Sequence, residues 1–140
     1  VPDDVGPVTG SAPPGPAGSS AAWDGAVLRV ALVGRLAAAD IALIADALAV
    51  ADGRFAVVLD RRLLGAPTAE GRAALESWAA GQLAELVPRI AAWADVYDER
   101  RYRSLTRDAP ATGHGPGYPQ RTFVDVDAAG AWVRELLSAG

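Results

Sequence analysis

Hydrophobic residues along this chain switch between two periods, and each switch marks an element. WDGAVLRVALVG, from Trp23 to Gly34, is dense in Val and Leu and punctuated by Gly25 and Gly34, which predicts a strand. In the next segment Ile41, Ile44, Ala45 and Leu48 recur on one helical face, with Asp40 placed to cap the start and Gly53 to stop the end. FAVVL, from Phe55 to Leu59, is an unbroken apolar run too short for a helix, and it reads as a strand buried on both faces in the middle of a sheet.

Helical spacing returns from Pro67 to Val87, where Leu75, Ala79, Leu83 and Leu86 form one stripe with Trp78 beside it and Pro88 closing it. IAAWADVYD, Ile90 to Asp98, predicts another strand, and Glu99 to Arg107 a short polar helix. DAPATGHGPGYPQ reads as a loop, TFVDV (Thr122 to Val126) as a strand, and Asp127 through Trp132 and Leu137 as the last helix. This alternation predicts an α/β domain: about four strands in a mainly parallel or mixed sheet, packed by helices, over residues 23–140. Residues 1–22, rich in Pro, Gly, Ser and Ala, have too little apolar surface to offset the entropy of ordering and are expected to be a flexible tail or linker.

Composition narrows the function classes. The chain is 51% hydrophobic and 21% charged, the balance of a globular domain with a core. Its net charge of -4 argues against general capture of nucleic acid, which needs an excess of cation. There is no Cys, hence no disulfide, thiolate nucleophile or thiolate metal site; with a single His, no metal or other cofactor is expected. No apolar run is long enough to span a bilayer and the start lacks the pattern of a signal peptide, so a cytoplasmic location is expected.

Three passages resemble the STAS fold, and more closely its SpoIIAA-like bacterial relatives: FAVVLD followed by a helix opened at APTAEG, the late RTFVDVDAAGAWVREL, and the order of elements. The resemblance implies a non-enzymatic interaction or ligand-binding module related to anti-sigma factor antagonists. In those antagonists the turn after the central strand carries Asp-Ser-Ser-Gly or Asp-Ser-Thr-Gly, whose Ser accepts phosphate. Aligned on Gly71, that tetrad falls on Thr68, Ala69, Glu70 and Gly71, so Ala69 or Glu70 stands where the acceptor would be. Serine phosphorylation at this turn is not expected. Glu70 reads as a helix-stabilising acid and Thr68 as a helix-start residue.

In open parallel sheets, binding groups collect beyond the carboxyl ends of the strands. That rule singles out Arg61 and Arg62 after one strand and Asp95, Tyr97, Arg100 and Arg101 after the next. With Thr68 and Glu70 they form a candidate edge for a protein partner or an anionic ligand, because Arg offers a planar fork to phosphate or carboxylate. The alternative is surface ion pairing, and Glu99 can pair with Arg103 at four-residue spacing. Trp23, Trp78, Trp93, Tyr97 and Tyr118 could instead line a pocket for an apolar ligand, or fill the core. A small cofactor-free cyclase or isomerase built on such a pocket would use Asp95, Tyr97 or His114 to handle protons.

Overall fold

The computed structural model describes residues 18–107, 112–114 and 117–139. Pairing begins with a hairpin. β1 (Ser20–Asp24) and β2 (Val27–Arg35) are antiparallel with Asp24 opposite Val27, which leaves Gly25 and Ala26 as the turn. Gly25 has φ 62°, the positive value that the first position of a two-residue hairpin turn needs. The single strand expected from Trp23 is therefore two. Ser20, Ala21 and Ala22, which composition assigns to the tail, pair with Ala31, Val30 and Arg29; the expected tail up to residue 17 lies outside the described residues.

β2, β3 (Phe55–Gly65), β4 (Ile90–Val96) and β6 (Pro119–Phe123) run parallel, and β5 (Thr112–His114) pairs antiparallel with β6. The described residues thus form a mixed six-stranded sheet in the order β1-β2-β3-β4-β6-β5. The two strands beyond the four expected are the first arm of the hairpin and β5, which falls in the expected loop. Pro119 stands first in β6, a position Pro tolerates in a strand. β6 also ends earlier than the apolar run TFVDV suggests, because Asp125 starts the next helix: its Oδ1 accepts the Asp127 N–H at 3.0 Å and its carbonyl the Ala129 N–H at 3.1 Å.

Helix α1 (Ala38–Ala49) begins before Asp40, whose Oδ2 reaches back to accept the Ala37 N–H at 2.8 Å; Asp40 stabilises the first turn from within it rather than as the cap residue. α2 (Ala69–Trp78) has Thr68 as its cap, with Oγ1 accepting the Gly71 N–H at 2.9 Å. The long helix expected from Pro67 to Val87 is not uniform. α2 gives way to a π turn (Ala79–Leu83), then to α3 (Ala84–Leu86) and a 3-10 turn (Val87–Arg89). α4 (Glu99–Thr106) is capped by Asp98, and α5 (Val126–Ala139) closes the described chain.

Strand alternation sorts side chains onto two faces. Val27, Ala56, Val58, Ala92, Ala94 and Val96 pack with Phe123 and with Ala129 and Val133 of α5. Leu28, Val30, Leu32, Phe55, Val57, Leu59 and Trp93 lie on the other face under Ile41, Ile44 and Leu48 of α1 and Trp78 of α2. Phe55 to Leu59 and every residue of β4 are buried, as a central strand covered on both sides requires.

Candidate functional site

β3 outruns its neighbour. Its last partner in β4 is Val96, opposite Asp60, so Arg61 to Gly65 continue beside β2 alone. There the register slips: Ala31 faces Asp60 but Val33 faces Leu63, leaving Leu32 opposite both Arg61 and Arg62. Such a bulge shifts every later side chain to the other face. Strict alternation from Leu59 would bury Leu63, yet Leu63 is 70% exposed and Leu64 only 5%.

Arg61 lies on the face of Leu59 by alternation, and the bulge adds Leu64 to it; both line a cleft of about 190 Å³ between the sheet and helices α1 and α2, near the carboxyl ends of the parallel strands. Leu32, Leu59 and Trp93 form its sheet wall; Ile41, Ile44, Leu75 and Trp78 form its helix wall. The π turn completes that wall. Along an α-helix residue 83 would sit about 140° around from Trp78, and residue 82 about 40°. The wider turn brings Leu83 into the cleft with Trp78, while Gln82 lines grooves outside it.

The polar groups gather where β3, β4 and β6 meet. Asp95 is 4% exposed; its Oδ2 accepts Gln120 Nε2 at 2.8 Å, and its Oδ1 accepts Trp93 Nε1 at 3.3 Å and stands 3.6 Å from Arg61 Nη1. Burial pushes its pKa above the ordinary carboxylate value, against the opposing pull of Arg61 and of the two hydrogen bonds. Arg61 Nη1 also donates to the Tyr97 hydroxyl at 2.8 Å, with the guanidinium 5.2 Å from that ring's centroid. Tyr118 stacks on Trp93 at 5.9 Å, and burial followed by the charge of Asp95 raises the pKa of its hydroxyl. Two donors among the cleft-lining side chains, Arg61 Nε and Trp78 Nε1, are buried without a partner.

Of the arginines expected at that edge, Arg61 lines the cleft and Arg62, Arg100 and Arg101 do not. Arg62 turns back onto Asp60, to which Nε and Nη2 donate at 2.9 and 2.7 Å, and it does not line the cleft with Arg61. Arg101 donates to the Leu64 carbonyl and pairs with Asp98 at 3.2 Å; Arg100 is exposed on α4. Arg103 and Glu99 make the surface pair their spacing predicts, at 2.8 Å. Thr68 is occupied as a cap and Glu70 is exposed in the first turn of α2.

The five aromatic residues do not form one cluster. Trp78, Trp93 and Tyr118 line the cleft, while Trp23 donates its Nε1 to the Ala47 carbonyl at 3.0 Å and packs edge-on against Phe55. Tyr97 stands behind Arg61. His114 pairs in register with Pro119 on β5, beyond β6 from Asp95, so the three proton-handling candidates do not gather in one strand pair. Gln120 escaped the sequence reading because YPQ looks like loop text; only pairing of Gln120 with Trp93 aims its amide at Asp95. Among the described residues no three His, Cys, Asp or Glu side chains converge as a metal-ligand set, and no helix is long and apolar enough to cross a membrane.

No family model matches this chain, and no curated protein does. Among solved structures it is similar to an uncharacterized protein of the DUF3478 family with a SpoIIAA-like fold from Shewanella loihica PV-4. The TM-score is 0.54 at 14% identity, over 82% of this chain and 91% of that one. The likeness supports the general SpoIIAA-like, STAS-type fold, which is as far as so low an identity reaches.

Proposed function

We propose that this chain is a non-enzymatic ligand-binding module whose cleft takes a small molecule with an apolar body and one polar end. The observation that carries this reading is the cleft itself: apolar side chains on both walls, Arg61, Asp95 and Gln120 at one end, beyond the carboxyl ends of parallel strands where such folds bind ligands. The reading includes no serine phosphorylation cycle at the α2 turn, because Ala69 or Glu70 stands at the acceptor position; Thr68 Oγ1 serves as the cap, donating to the Leu36 carbonyl at 3.3 Å and accepting from Gly71. A cyclase or isomerase lacks the aromatic cluster it would need.

Leu75 offers the test because it lines the cleft yet is only partly buried, so a larger side chain can enter the void there without dismantling the core. Native mass spectrometry and thermal-shift titration with small aromatic probes should show binding to the parent and loss of at least tenfold in affinity in Leu75→Trp. Parent protein that carries no adduct and whose melting temperature no such probe raises would end the reading.

A further inference from the structure

We propose that β1 is a docking edge for a second copy of this chain, the two β1 strands pairing antiparallel about a two-fold axis at Ala22 so that the sheets join; this inference is independent of the cleft. Among the described residues β1 stands at one end of the sheet and pairs with β2 alone. The register says which backbone groups its other edge presents. The two-residue turn makes Asp24 and Val27 a hydrogen-bonded pair, and such pairs alternate along an antiparallel ladder. Ala22 and Ser20 therefore bond to β2, while the N–H and C=O of Ala21 and Trp23 point outward. Natural edge strands usually carry a Lys, a Pro or a bulge that blocks further pairing. β1, SAAWD, has none of these, and its one charge, Asp24, is held within the chain by Arg134.

A two-fold axis at Ala22 is the register that satisfies this edge. Ala21 then stands opposite the partner's Trp23 and Trp23 opposite the partner's Ala21, so the outward groups of both strands bond one another and each indole lies across from a small side chain. Ser20 meets the partner's Asp24, a hydroxyl against a carboxylate, whereas an axis at Asp24 would set acid against acid. Helix α1 adds a second surface on the same side. Apart from Asp40 and Asp46 it consists of Ala, Ile and Leu, and a helix apolar all round is one that expects cover all round. Ile41, Ile44 and Leu48 face the sheet, and Ala38, Ala42 and Ala45 line the groove toward α2. At about 100° per residue, Ala39, Leu43, Ala47 and Val50 form the third flank, on the side where Trp23 reaches the Ala47 carbonyl. Leu43 is half-buried and Val50 is 71% exposed. The axis at Ala22 sets the two α1 helices side by side and antiparallel on one face of the joined sheet, each turning this flank to the other.

Sedimentation of the full chain, 14.4 kDa, over a concentration series reaching about 100 μM should show a monomer in equilibrium with a dimer and nothing larger. The chain has no Cys, so single cysteines report the register. Opposed residues outside the hydrogen-bonded pairs lie about 4.5 Å apart at Cα, within the reach of a disulfide. Ala22→Cys should therefore link two chains on mild oxidation. Ser20→Cys, set about 13 Å from its own copy by the same axis, should not. Both side chains are exposed, so neither substitution disturbs the core. Ala21→Pro removes an outward N–H and no bond to β2, and it should weaken association at least tenfold; Val50→Glu, which puts like charges at the α1 seam, should weaken it several-fold. If Ala21→Pro fails to fold, the two cysteine variants decide. A monomer throughout the series, a species larger than a dimer, unchanged association in folded Ala21→Pro, or linkage through Ser20→Cys as ready as through Ala22→Cys would each overturn the proposal and leave the ligand-binding reading standing.

Discussion

Beneath α5 the sheet presents Ala56, Ala92 and Ala94 among valines, and the helix sets Ala129, Gly130 and Val133 against them. Small side chains on both sides let the helix approach closely and leave little between. On the opposite face the same strands present Leu28, Leu59, Phe55 and Trp93, and two helices meet above them. Large side chains under a pair of helices do not tile completely, and the cleft is what remains. The same backbone thus supports a face that is tightly packed under α5, with a groove of about 180 Å³ only at its Arg29 and Asp60 edge, and a face whose cleft is walled by large apolar side chains. The polar groups divide differently: Asp95 and Arg61 sit at the end of the open face, where an incomplete core leaves room for them.

A glycine on each face gives the most forceful test of this contrast. At Gly71, on the first turn of α2, an added Cβ would lie 2.0 Å from the Leu36 carbonyl oxygen, a backbone atom that cannot yield without moving the helix off β2. At Gly130 of α5 the nearest atom is Arg29 Nη2 at 2.9 Å, the end of a flexible side chain. Gly71→Ala is expected to cost about 3 kcal/mol or more and Gly130→Ala less than about 1 kcal/mol by urea denaturation. Equal costs would mean that the open face can shift its wall as easily as the face under α5 shifts a surface arginine.

Volume gives the next test. Ala94 is fully buried against α5, so Ala94→Leu should overpack the face under that helix and cost about 1–3 kcal/mol. Leu75→Phe adds bulk toward the cleft and should change stability by less than about 0.5 kcal/mol. A large loss in the second variant, read from the same denaturation curves, would show the cleft to be closed in solution.

Much of this architecture is legible in the chain. Unbroken apolar runs disclose β3 and β4 because both faces of those strands are covered, and the helical spacing of Ile41, Ile44 and Leu48 discloses α1 because one face is. Asp98 and Glu99 announce α4 through local chemistry alone. The site is less legible. Arg61 and Arg62 are adjacent and identical in the sequence, and alternation along β3 sends the first toward the cleft with Leu59 and the second back to Asp60; what the sequence hides is the slipped pairing that buries Leu64 in place of Leu63. The π turn is hidden because it changes hydrogen bonding without any proline, so the stripe through Ala79 fits the helix as well as the true face through Trp78. Asp24-Gly25 did carry a turn signal, masked by the apolar residues on either side.

Asp95 supplies a pH test of the open face. Its folded pKa is raised above the ordinary 3.8 by burial, so the folded state holds this proton more tightly than the unfolded chain does. The associated stability is fully present below about pH 3.8 and is lost as pH rises through the folded value. Asp95→Asn removes the titration, and the parent's melting temperature should fall relative to the variant's as pH climbs from 3.8 toward neutrality. Parallel profiles for the two proteins would show that Asp95 is hydrated and that the polar end of the cleft is wet.

The smallest effect belongs to Arg62, and it isolates the consequence of alternation along β3. Arg62 and Asp60 form a bidentate pair at the surface, the arginine side chain 44% exposed, and such pairs are worth about 0–1 kcal/mol because water competes for both partners. Partial burial alone would raise the Asp60 pKa, but its bonds to Arg62 outweigh that and hold the pKa below 3.8. The stabilisation is therefore present above pH 3.8 and lost as pH falls through the depressed value. Arg62→Ala should cost no more than about 0.5 kcal/mol near neutral pH, nothing measurable once Asp60 is protonated, and no ligand affinity at either pH. Arg61→Ala should behave in the opposite way, weakening the binding of small aromatic probes several-fold, since it removes part of the cleft lining and the charge facing Asp95. If the neighbouring arginines respond alike in chemical denaturation and in titration, alternation along β3 does not separate them, and the cleft has lost the feature that distinguishes its polar end from the surrounding surface.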